Sequence, residues 1–140
     1  MSDNECEGCK NGLEDMRTKQ DELMKKYGWI VHYIISDADY PFSVNVHTHG
    51  FPSKFKHPDM QLCVPISQEN AQGIMWNLAK RLETGDTFQP NEKYNDIIEG
   101  FPVLICHAME NSRDILRVVF PDKNGRFDTE FSLTQIKDLK

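Results

Sequence analysis

Three short apolar runs follow the first helical segment of this chain with no second helix among them, and that grouping constrains the fold more than any other feature. Trp29–Ile35 is rich in β-branched and aromatic residues, and Met60–Pro65 is short and apolar. Between them Phe42, Val44 and Val46 alternate with Ser43, Asn45 and His47. Alternation of period two marks a strand with one face buried. A serine and aspartates at 36–39 supply a turn, so 29–35 and 42–48 read as a hairpin. Gly50, Pro52 and Pro58 interrupt regular structure through 50–59. Strands grouped at hairpin spacing build antiparallel sheets, whereas parallel sheets alternate strand with helix.

Helical periodicity flanks this group. Leu13, Met16, Leu23, Met24 and Tyr27 fall on one helical face, with Gly28 placed to stop the helix. Ser67 is a suitable N-cap for a helix carrying Ala71, Ile74, Met75, Leu78, Ala79 and Leu82, and Gly85 ends it. Residues 86–100 show no element. Phe101–Ala108 is a strand whose Pro102 suits an edge or first-residue position, and Ile115–Phe120 is another. The Asn-Gly chemistry of 121–125 predicts a hairpin into Arg126–Phe131, and the tail from Ser132 either forms a short helix or frays. The expected fold is α+β: a single domain over 12–140, with a largely antiparallel sheet of five to six strands and two main helices packed on one face. A polar arm, 1–11, precedes it.

A chain of 140 residues is most simply one domain. The formal net charge is −6. Such a balance disfavours nucleic acid and anionic membranes, which need a basic patch, and suits a small molecule or a basic protein as partner. The N-terminal stretch is polar, unlike a signal peptide, and no apolar run approaches the ~18 residues of a membrane span. These features suit a cytoplasmic protein. Four cysteines there read as free thiols or metal ligands rather than a disulfide frame, and homo-oligomerisation stays open.

Chemistry-bearing residues cluster in two places. Cys6-x-x-Cys9 has the spacing of a zinc clamp or a redox pair, set against two incidental thiols on an irregular arm. His47-x-His49 ends a strand, where period two sends both rings to one side, set against two polar residues on a solvated face. The metal set expected from sequence is therefore Cys6, Cys9, His47 and His49, with zinc as the cofactor. His57 stands as a further ligand, and Asp59 as a group that orients an imidazole. Phe51 lies on the same loop side, and Trp76, on an amphipathic helix, either anchors the core or caps a pocket. Arg113, Arg117 and Arg126 either greet an anion or pair with nearby aspartates. Cys106 and His107 are strand neighbours facing opposite sides, so they form no nucleophile–base dyad, and Cys63 reads as a buried hydrophobe.

Several short motifs occur in a recognisable order: Cys6-x-x-Cys9, Gly28-Trp29, Pro41-Phe42 through His47, His57-Pro58-Asp59-Met60, Asn77, Gly85 through Phe88 with Pro90 and Asn91, and Pro121-Asp122 with Gly125 and Phe127. In that order the chain resembles the bacterial domain-of-unknown-function family 4262. It departs from the family pattern at Val44-Asn45-Val46, at Asp59 where Glu is common, and at Asp128 where an aromatic is typical. The resemblance implies a compact α+β domain of bacteria or their phages, and it carries no catalytic residues.

The leading expectation is a small, non-catalytic intracellular binding protein. It would recognise a small ligand or a protein partner on the loop side formed by 47–59 and 86–100. Its acidity suits a basic partner, as in toxin neutralisation or host–phage conflict. The rival is a zinc-dependent hydrolase using His47, His49 and His57 with a position left for water. A thiol redox module at Cys6 and Cys9 ranks third.

Overall fold

A computed structural model describes residues 14–35, 44–110 and 112–136. Helix α1 (Glu14–Tyr27) leads into strands β1 (Ile30–Ile35) and β2 (Val44–His49). A single helical turn, α2 (Phe51–Phe55), precedes β3 (Asp59–Leu62) and the long helix α3 (Gln68–Glu83). Strands β4 (Lys93–Ile98), β5 (Phe101–Glu110) and β6 (Arg113–Val119) follow, then helix α4 (Glu130–Ile136). The 1–11 arm with Cys6 and Cys9, the 36–39 turn and the end of the tail lie outside the described residues.

The six strands form one sheet in the order β1-β2-β3-β6-β5-β4. Every neighbouring pair is antiparallel except β3–β6, so the expected α+β sheet carries one parallel pair. Helix α3 takes the chain from β3 across one face to the far edge, and two reversals bring it back until β6 lies beside β3. Val46, Met60, Leu62, Val103, Ile105, Leu116 and Val118 face the core beneath Ala71, Met75, Leu78 and Leu82 of α3. The α3 residues recur at three and four positions, which is why one helix face can close over the sheet. Ser67 caps α3 by accepting the Asn70 N–H at 3.1 Å. Gly28 ends α1 at φ 82°, its N–H bonded to the Met24 carbonyl. The Tyr27 and Trp76 rings meet edge to face, so α1 and α3 share one side of the sheet.

Four expectations need correction. Residues 50–59 are not wholly irregular, because Gly50 and Pro52 start the α2 turn. The 86–100 segment contains β4, an edge strand hidden in the sequence because it buries only Ile97. Pro102 is not on an edge strand. It is the second residue of the interior strand β5, inside the register shift between the Tyr94–Val103 and Ile98–Phe101 pairs, where a missing N–H is tolerated. Residues 126–131 form no strand, since β6 already has β3 and β5 on its two sides. Instead Asp122 accepts the N–H groups of Asn124 and Arg126, closing the turn, and α4 begins at Glu130. Helix α4 packs on the sheet face opposite α3, where the Gln135 carbonyl accepts from Arg117 Nη1 at 2.9 Å.

Candidate metal centre

The β1–β2 ladder sets His32 across from His47 and Ile30 across from His49. Because alternate residues share a face, His32, His47 and His49 project together from the side of the sheet away from α3. Their ring centroids are 5.3 Å (32–47), 4.5 Å (32–49) and 4.9 Å (47–49) apart. One ring nitrogen from each lies within 4.8 Å of the others. His47 is 1% exposed, while His32 and His49 are half-buried and form the solvent side of the cluster. In a tetrahedral zinc site with bonds of ~2.0–2.1 Å, ligand atoms sit roughly 3.4 Å apart, so small side-chain rotations bring this trio to an ion.

Neighbouring groups orient the central ring. Asn45 Oδ1 lies 3.0 Å from His47 Nδ1 and also accepts from Gln61 Nε2 at 3.1 Å. The amide oxygen is an acceptor, so this network puts the proton on Nδ1 and leaves the lone pair on Nε2. Glu110 Oε2 stands 3.5 Å from that Nε2. Arg113 fixes the carboxylate from behind: Nε and Nη2 both reach Glu110 Oε1 at 2.8 Å. Its Nη1 reaches Asp59 at 2.5 Å, and Nη2 also donates to the Thr48 carbonyl at 2.9 Å.

Electrostatics keep two of the rings, His47 and His49, in the form that binds metals. Burial, reinforced by the charges of His49, His32 and Arg113, drives the His47 pKa down to about 2. Burial, then Arg113 and His32, drives that of His49 down to about 3. Both imidazoles are therefore neutral near pH 7, and an incoming ion displaces no proton from either lone pair.

Of the residues singled out from sequence, His47 and His49 meet, and the third ring is His32 rather than His57. The Nδ1 of His57 bonds the Pro58 carbonyl at 2.8 Å, and its Nε2 accepts the Phe88 N–H at 3.1 Å. Both ring nitrogens are thus occupied, Nδ1 locally and Nε2 in holding the 86–100 segment to the body. Asp59 orients no imidazole; it accepts from Thr48 Oγ1, the Phe51 N–H and Arg113, while burial raises its pKa against those donors. The orienting role falls to Asn45.

Phe51 is fully buried against Trp29 and Phe55, so it offers no ligand surface. Arg117, 2% exposed, ties Gln61 to α4 instead of meeting an anion. Arg126 pairs with Asp128. Trp76 is 46% exposed and lines a cavity on the other side of the molecule. Cys63 is buried, and burial raises the thiol pKa of Cys106. His107 pairs with Asp114. Cys6 and Cys9 lie outside the described residues. Sequence reasoning missed His32, Asn45 and Glu110. The parity of the predicted hairpin was the available signal for His32; Glu110 arrives from a distant strand, with no local signal.

The family model for a domain of unknown function, DUF4262, matches residues 23–114, more than half of the chain. The chain belongs to this family. The matched span holds all three histidines with Glu110 and Arg113, so the candidate centre lies within the family domain. No curated protein and no solved structure matches the chain.

Proposed function

We propose that this protein binds one divalent transition-metal ion of the zinc class through His32, His47 and His49, with the remaining coordination open to an exogenous ligand. The observation that carries this reading is the convergence of three ring nitrogens within 4.8 Å on one sheet face. Neutral imidazoles are the usual ligands of Zn²⁺, and three of them with an open position is the pattern of a site that exchanges ligands rather than one that only braces a fold. The acidic balance of the chain is compatible with a protein partner as well, and the metal reading does not depend on one.

A hydrolytic reading is favoured by one further feature, the placement of Glu110. Its Oε1 is held by Arg113 and its Oε2 points at His47 Nε2. With an ion held by the histidines, that carboxylate would stand within reach of a metal-bound water and could serve as its general base. Here His32 takes the place that sequence reasoning gave to His57.

Metal content of purified protein tests the binding reading. One zinc per chain that is lost in His32→Ala and kept in Cys6→Ser/Cys9→Ser supports it. An ion that instead follows the cysteines refutes it.

A further inference from the structure

On the face away from the histidines, the end of α1, the α2 turn and α3 enclose a cavity of about 390 Å³. Its walls include Tyr27, Trp29 and Trp76, and Lys26, Lys54 and Lys80 stand around it. Among the described residues Glu83 is the one acidic residue lining it, so three ammonium groups meet one carboxylate in a chain whose formal net charge is −6. The local sign of charge is thus reversed. A second hollow of about 260 Å³ also uses Tyr27, Trp29 and Trp76, which makes the aromatic cluster the wall common to both.

Two details show a shaped site. The Lys54 stem runs across Gly28, its Cδ 2.8 Å from where a Cβ would stand, and Gly28 has φ +82°. The glycine therefore makes room for the lysine, and the stem is held against backbone. Lys54 Nζ also lies 5.8 Å from the Phe55 ring centre, and Lys26 Nζ 5.2 Å from that of Tyr27, distances at which ring faces attract cations. Trp76 meets Trp29 at 4.7 Å and Tyr27 at 5.0 Å between ring centres, yet stays nearly half exposed. A large ring held by two aromatic neighbours and still nearly half exposed can serve as a stacking platform.

We propose that this cavity binds a small organic anion with a planar ring, of the nucleoside monophosphate class. The ring lies on Trp76 and the phosphate meets Lys54 with Lys26 or Lys80. The volume falls within the range of pockets for such ligands, ~300–1,000 Å³. Stacking on an aromatic contributes ~1–3 kcal/mol per base, and a lysine–phosphate contact is charge-assisted, so each half adds to affinity separately.

The test is a calorimetric titration of the full chain with AMP, adenosine and inorganic phosphate, with tryptophan fluorescence read alongside. AMP is expected to bind saturably and quench fluorescence, and to bind more tightly than adenosine or phosphate alone. Lys54→Met and Trp76→Leu should each weaken AMP by about tenfold, one charge-assisted contact or one stacking platform being lost. His32→Ala should leave it unchanged. Lys54 is exposed, so its variant keeps the test valid if Trp76→Leu perturbs folding. Absence of saturable AMP binding overturns the proposal, as does binding that ignores Lys54→Met or disappears in His32→Ala.

Discussion

His32 stands directly opposite His47 in the β1–β2 ladder, with the ring centres 5.3 Å apart. That pairing turns a His-x-His pair into a set of three. It also makes the site depend on the hairpin register, because a slip of one residue would send His32 to the other face of the sheet.

Zinc should stabilise the protein through this set. A ligand that binds only the folded state, at one hundred times its Kd, adds ~2.7 kcal/mol. The midpoint of thermal unfolding should rise with zinc and return on chelation, and His32→Ala should abolish the rise. An equal rise in His32→Ala would place the ion elsewhere.

Acid should destabilise the metal-free protein earlier than its carboxylates require. In the folded state His47 and His49 titrate at about 2 and about 3, below the unfolded value near 6.5. The unfolded chain therefore binds more protons across this window. Stability is full above pH ~6.5 and falls as pH drops toward 3, with a slope approaching ~1.4 kcal/mol per pH unit for each histidine. Asp59, whose pKa burial raises, works in the opposite sense. Urea unfolding from pH 7 to pH 4 should show the loss, and His49→Asn should flatten it.

The sheet-bearing part of the fold was legible because Val44 and Val46, and the α3 series from Ala71 to Leu82, each follow one period against one core. β4 was not, because an edge strand such as Lys93–Ile98 needs little apolar alternation. The hairpin inferred after Pro121 failed because turn chemistry says where a chain reverses, not whether a sheet edge is vacant. At the site, His47 and His49 were visible as a local pair. Glu110 and Arg113 reach it only through β5 and β6, whose position beside β3 depends on non-local pairing.

Asp59 should act as a structural tie. It accepts from Thr48, Phe51 and Arg113, joining the end of β2, the start of α2 and the start of β6. Asp59→Ala leaves the guanidinium without one of its two carboxylates and should cost about 3 kcal/mol, the lower end for a broken buried ion pair. A shift in the urea midpoint at constant slope would register it; a neutral result would show that Glu110 alone satisfies Arg113.

Gly50 should resist substitution more than the other glycines among the described residues. Its φ is +113°, and a Cβ would stand 2.4 Å from the Gly28 carbonyl oxygen and 2.8 Å from Trp29 Cα. Gly50→Ala must therefore push β1 from β2 beside His49. A loss above ~1–2 kcal/mol, the ordinary cost of a left-handed residue, is expected together with weakened zinc binding. Gly85→Ala, with nothing near its Cβ, should carry only the backbone cost and leave zinc binding alone.

The most direct measurement is calorimetric titration of metal-free protein with Zn²⁺, run in parallel on wild type, His32→Ala and the Cys6→Ser/Cys9→Ser double variant. One ion per chain for wild type and the cysteine variant, with binding lost in His32→Ala, is the predicted result. Binding that survives His32→Ala, or that vanishes with the cysteines, would contradict a three-histidine centre on the β1–β2 hairpin.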